Sequence, residues 1–130
     1  MATKKTPTAY RRLKNQNADY VDAVEALGAA VRRAGPLDQK VTQLVQLGAA
    51  AAIRSEGAVH SHVRRALELG VPAIEIRHAL ISVTSTIGFP TVRAALSWAD
   101  DVIGKSTSRK RGPRPAVSRN KGRGAARDQR

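Results

Sequence analysis

Residues 58–90 read AVHSHVRRALELGVPAIEIRHALISVTSTIGFP, and the punctuation of that stretch decides the fold. Over 58–69, Val59, His62, Val63, Ala66 and Leu67 recur at the three- and four-residue spacing of one helix face. Ser61, Arg64, Arg65 and Glu68 fall on the other side. Gly70 follows as a natural C′ residue, where a left-handed conformation costs least without a Cβ. Pro72 suits the first position of the next helix, read over 72–88. That helix carries two apolar stripes: Ile74, His78 and Ile81 on one side, and Ile76, Leu80, Val83 and Ile87 on the other. A surface helix needs only one such stripe. Two predict a helix covered twice, by the core and by a partner subunit. The β-branched run 81–87 would also suit a strand, but no second strand is available to pair with it.

Working outward, the same signals give three more helices. One spans 38–55, with Asp38 as N-cap and a stripe of Val41, Leu44, Val45, Gly48 and Ala52. Another spans 18–34, with Asn17 as N-cap and a stripe of Tyr20, Val21, Val24, Leu27, Gly28 and Val31, before Gly35-Pro36 breaks it. Gly28 and Gly48 would let neighbouring helices approach closely. The last runs over 90–104 and is expected to bury Val92, Ala95, Leu96, Ala99 and Val102 or Ile103. The expectation is an all-α, compact bundle of about five helices over 17–104, between basic tails at 1–16 and 105–130. The last 26 residues, rich in Arg, Lys, Gly, Pro and Ser, lack the apolar surface needed to offset ordering entropy and read as disordered.

Composition narrows the chemistry. Hydrophobic residues make up 42 %, but the aromatics are only Tyr10, Tyr20, Phe89 and Trp98. The core must therefore be built from Ala, Val, Leu and Ile, each burying little area, and a domain of this size gains from oligomerisation. There is no cysteine, so disulfides, thiolate catalysis and thiolate metal sites are excluded. No apolar run approaches the roughly 20 residues of a membrane span. A cytoplasmic protein without membrane contact is the expectation.

The net charge of +13 is unevenly placed. Residues 1–16 hold five basic and no acidic residues; 105–130 hold ten basic residues and Asp128; 17–104 hold eight basic and nine acidic residues. The excess thus lies wholly in the tails. Arg109, Lys110, Arg111, Arg114, Arg119, Lys121 and Arg123 could neutralise phosphates of nucleic acid or another polyanion. No aromatic residue follows Trp98 to stack on bases, so such binding would be electrostatic. A solubilising tail is the competing reading.

Inward-facing His62 can be a general acid/base near neutral pH, or a core histidine satisfied by a hydrogen bond. His60 and His78 invite the second reading. No metal site is expected: His60 and His62 are two residues apart on one helix and point apart, and HExxH is absent. Paired carboxylates and phosphate-binding glycine loops are missing too.

The stretches LDQKVTQLVQLGAAAA (37–52) and HSHVRRALELGVPAIEIRHAL (60–80), with the Gly88-Phe89-Pro90 turn, resemble the carboxymuconolactone decarboxylase and alkylhydroperoxidase D superfamily. The resemblance implies an all-α fold assembled into trimers or hexamers. Its peroxidase branch uses a Glu, two Cys and a His as a relay. By spacing these positions are Gln43, Ser55, Ala58 and His62 here, so cysteine peroxidase activity is excluded. The decarboxylase branch lacks the cysteines, and HVRRALELGV (62–71) is similar to its pattern. It implies proton transfer during decarboxylation of a small lactone or carboxylate, without a cofactor. His62 would be the acid/base, with Gln43 and Ser55 as polar pocket groups. Arg64 and Arg65 face away from His62 and are not assigned to substrate carboxylates. If the chain is not an enzyme of this kind, it is an oligomeric scaffold whose tails bind polyanions.

Overall fold

The computed structural model describes residues 7–112. Seven helices follow one another: α1 (Thr8–Gln16), α2 (Ala18–Arg33), α3 (Gln39–Ala52), α4 (Glu56–Glu68), α5 (Ala73–Ser82), α6 (Thr84–Ile87) and α7 (Phe89–Arg111). Among the described residues there is no strand. The fold is all-α, and the β-branched run is helical.

The centre is α4, packed against α3 on one flank and α7 on another, with α5 closing the remaining side. Leu47, Ala50 and Ala51 of α3 meet Val59, Val63 and Ala66 of α4, Ile76 and Leu80 of α5, and Ala95, Ala99 and Ile103 of α7. Wholly aliphatic, this core follows from the scarcity of aromatic residues. Asp38 caps α3 as expected, accepting from the Val41 N–H at 2.9 Å. Gly70, at φ +87°, ends α4. Its N–H donates to the Leu67 carbonyl and the Val71 N–H to Ala66, the paired closure of a Schellman motif, with Val71 and Ala66 both buried.

Several expectations are corrected. Residues 8–16 are helix, not tail. Asn17 alone separates α1 from α2, and the two helices are tied by the Tyr10 hydroxyl donating to Glu25 Oε1 (2.5 Å) and by Lys14 reaching Glu25 (3.3 Å). Asn17 stands at the N-cap position of α2 but makes no side-chain cap. The stretch 105–111 likewise continues α7: extending an existing helix adds a bond per residue without a new nucleus. Arg109 and Lys110 are exposed on that extension, whereas Arg114, Arg119, Lys121 and Arg123 lie outside the described residues, as does the Arg111 side chain.

The 72–88 helix is interrupted at Val83. The Ser82 and Thr84 hydroxyls donate to the Ala79 and Ile81 carbonyls at 2.7 and 2.6 Å, competing with the helix ladder there. α5 buries only Ile76 and Leu80; Ile74, His78 and Ile81 are exposed. In α3 the buried face is Gln43, Leu47, Ala50 and Ala51, not the row of Val41, Val45 and Ala52. α2 buries Val21 alone and leaves Tyr20, Val24, Leu27 and Val31 exposed. The glycines do not bring helices close: a Cβ on Gly48 would meet Val83 at an ordinary 3.6 Å, and one on Gly28 only its own helix's Arg32. Ala50 and Ala51 provide the close packing instead.

Candidate functional site

α3 and α4 are joined by Ile53, Arg54 and Ser55 alone, so they run antiparallel and in contact. Arg54 adopts φ 56°, unusual for a residue with a Cβ, and its guanidinium donates to Thr91 Oγ1 at 3.1 Å. Ser55 caps α4 by accepting from the Ala58 N–H at 3.3 Å. This tight reversal sets Gln43, on the third turn of α3 from its C-terminal end, level with His62 on the second turn of α4. His62 Nδ1 and Gln43 Oε1 are 2.9 Å apart, across 19 residues of chain.

Gln43 is 3 % exposed, and it is the buried polar residue of the described core. A buried amide left without a partner costs about 1–3 kcal/mol, so the bond to His62 is needed whatever else it does. Since Oε1 can only accept, Nδ1 carries the proton and Nε2 keeps the free lone pair. Turning the amide over would present its NH2 group and exchange the two roles. His62 is half-buried. Burial pushes its imidazole below the ordinary histidine range, and the positive charge of Arg65 adds in the same direction. The ring is therefore neutral at pH 7 and readily releases any proton it gains.

Gln43 also reaches an open cleft of about 410 Å³, lined further by Arg32 of α2, Gln39 of α3, and Arg65, Glu68 and Leu69 at the end of α4. His62 is not among the lining residues and meets the cleft through its bond to Gln43. Two guanidinium groups against one carboxylate make the cleft suited to a small anion, because the planar guanidinium pairs with a carboxylate through two parallel bonds.

Gln43 and His62 thus come together as their spacing suggests. Ser55 is engaged with the helix start, seven residues before His62, and forms no hydrogen bond to either. Arg65 corrects the helical-wheel reading: three residues beyond His62, it is a neighbour on the helix surface and not a group on the far side. Arg32 carried no signal in the sequence, since its place in the cleft depends on where the end of α2 comes to rest beside α3 and α4. His60 and His62 point to opposite flanks, as their two-residue spacing requires. His62 meets α3, whereas His60 faces Asp101 of α7 at 3.8 Å.

The carboxymuconolactone decarboxylase family model matches residues 18–101, well over half of the chain. No curated protein and no solved structure matches it.

Proposed function

We propose, for a chain that belongs to the carboxymuconolactone decarboxylase family, a cofactor-independent proton-transfer reaction on a small lactone or unsaturated carboxylate, with His62 as acid/base. The single observation that carries this reading is the His62–Gln43 pair at 2.9 Å. A buried amide that fixes the imidazole's tautomer is the orienting partner a catalytic histidine requires. Arg32 and Arg65 would hold a carboxylate in the cleft beside it. In the decarboxylation, the bond between the carboxylate and the ring carbon breaks and its electron pair moves into the conjugated carbonyl, so CO2 leaves without an external electron sink. His62 takes a proton at Nε2 from water and delivers it to the carbon that now carries the negative charge, and the hydroxide left behind is consumed by the released CO2 as bicarbonate. Ser55 serves as the cap of α4.

The test is turnover of carboxymuconolactone by the full-length protein, followed by loss of substrate absorbance and release of CO2. Activity that falls in His62→Ala supports the assignment; activity untouched by that change sinks it.

The homo-oligomer belongs to the same proposal. Tyr20, Val24, Leu27 and Val31 line one side of α2, and Val41 and Val45 lie exposed on α3. Such rows are what a second subunit would cover. Light scattering on the wild type should give a mass of at least three chains, and Leu27→Glu should lower it.

A second reading is favoured by the charge split. Arg109 and Lys110 stand exposed at the end of α7, leading into the most basic part of the chain. Repeated on an oligomer, such arms would bind nucleic acid or another polyanion through avidity. Affinity for duplex DNA that drops steeply with salt and disappears on removing 105–130 is what this reading requires.

A further inference from the structure

α4 presents a second histidine on its other flank. Glu56 and His60 lie one turn apart and stack on the same face. Asp101 is contributed by α7, which packs along α4. His60 Nε2 is 3.9 Å from Glu56 Oε1 and 3.8 Å from Asp101 Oδ2. Both gaps are too long for hydrogen bonds. The His60 side chain is 30 % exposed, yet Nε2 itself is closed off from solvent and has no hydrogen-bond partner. One ligand atom from each of the three side chains lies within 4.8 Å of the other two. A ring nitrogen closed off from solvent, without a partner and facing two carboxylates, is an arrangement that an added cation would complete in place of a ring proton.

We propose that Glu56, His60 and Asp101 form a binding site for a divalent cation of the zinc type. An imidazole nitrogen with two carboxylate oxygens is a donor set that zinc accepts, whereas magnesium prefers oxygen alone. Bonds of about 2.0–2.1 Å in a tetrahedron place neighbouring donor atoms about 3.3 Å apart, so each carboxylate needs to close on Nε2 by roughly 0.5 Å, and the two carboxylates on each other by up to about 1.5 Å. The Glu56 and Asp101 side chains are 59 % and 58 % exposed and have room for that movement. An imidazole that binds a metal through Nε2 is uncharged, so the two carboxylates match the charge of the ion. Three protein ligands leave a fourth position for water or a small ligand, the open form of such a site. The site shares no residue with the His62–Gln43 pair and does not depend on its role.

Titrating the untagged, chelator-treated full-length protein with Zn²⁺ alone, by calorimetry and by the absorption of Co²⁺ as a substitute, tests the proposal. One ion per chain is expected, together with a higher melting temperature at saturating metal. His60→Ala and Asp101→Asn should each weaken binding at least tenfold, by analogy with the roughly 10–100-fold that even outer-sphere changes cost. Circular dichroism checks that both variants stay folded, and exposed His78→Ala should bind as the wild type does. Absence of binding, or binding undiminished in both His60→Ala and Asp101→Asn, overturns the proposal.

Discussion

The two flanks of α4 carry one histidine each and place them in opposite surroundings. On the α3 flank, His62 meets a buried, uncharged amide at 2.9 Å, which selects its tautomer, while burial and the charge of Arg65 hold the imidazole below its ordinary range. On the α7 flank, His60 meets two exposed carboxylates near 4 Å, neither close enough to hydrogen-bond its buried Nε2. The side chain is the same and the helix is the same. What packs opposite sets the surroundings: a neutral, buried amide is the partner the proposed proton transfer calls for, and a pair of anions is what the proposed cation site calls for.

The largest effect separating the flanks is expected in turnover. His62→Ala should reduce the rate on carboxymuconolactone by about 10²–10⁴-fold, the usual contribution of a general acid/base, while His78→Ala on the exposed side of α5 keeps it. Steady-state kinetics of the three proteins would break the comparison if they coincided.

Stability gives the next contrast. Gln43→Ala removes a buried amide, opens a cavity and leaves His62 without its partner, so a loss of about 1–3 kcal/mol is expected by denaturant unfolding. Glu56→Gln on the other flank changes an exposed side chain and, in metal-free buffer, should stay within about 0.5 kcal/mol.

A smaller effect follows from pH. The His62 imidazole sits below its ordinary value of 6.5 in the folded chain. On acidification the unfolded state therefore gains its proton first, and stability falls as pH drops through 6.5 towards the lower folded value; above 6.5 the contribution is constant. Unfolding measured between pH 5 and 8 on wild type and His62→Gln should show this slope in the wild type and a flatter one in the variant. An equal slope in both would show that the flank contributes no such linkage. The smallest effect concerns Arg65→Gln. It removes the second cause of the lowered His62 value, so the imidazole's NMR titration should move slightly upward.

Legibility in the sequence followed the range of the interactions. The cap at Asp38 and the closure at Gly70 involve residues three to five apart, and both are as read. The inward face of α4 is also as read, because Val59, Val63 and Ala66 are apolar in a helical period that nothing contradicts. The pairing of Gln43 with His62 was visible only through resemblance to a family, since no local rule links positions 19 residues apart. α3 turns its buried face more than a third of a turn away from the apolar row of Val41 and Val45, which puts Gln43 inside. α1 and the end of α7 give little apolar signal because their residues are mostly polar and basic; α1 is held against α2, and the end of α7 extends a helix already formed. No helix among the described residues is long and apolar enough to cross a membrane, which agrees with the hydropathy of the sequence.

The sequence by itself determined that this chain is helical, aliphatic at its centre and incapable of thiol chemistry, because composition, period and punctuation act through the nearest few residues. Only the tertiary structure decided which of three histidines would meet an amide, which would meet two acids, and which would face solvent. Those outcomes depend on the rotation and stacking of α3 and α7 about α4. That rotation is set by the summed packing of Ala50, Ala51, Val59, Val63, Ala95 and Ala99, and by no single residue that could be read in isolation.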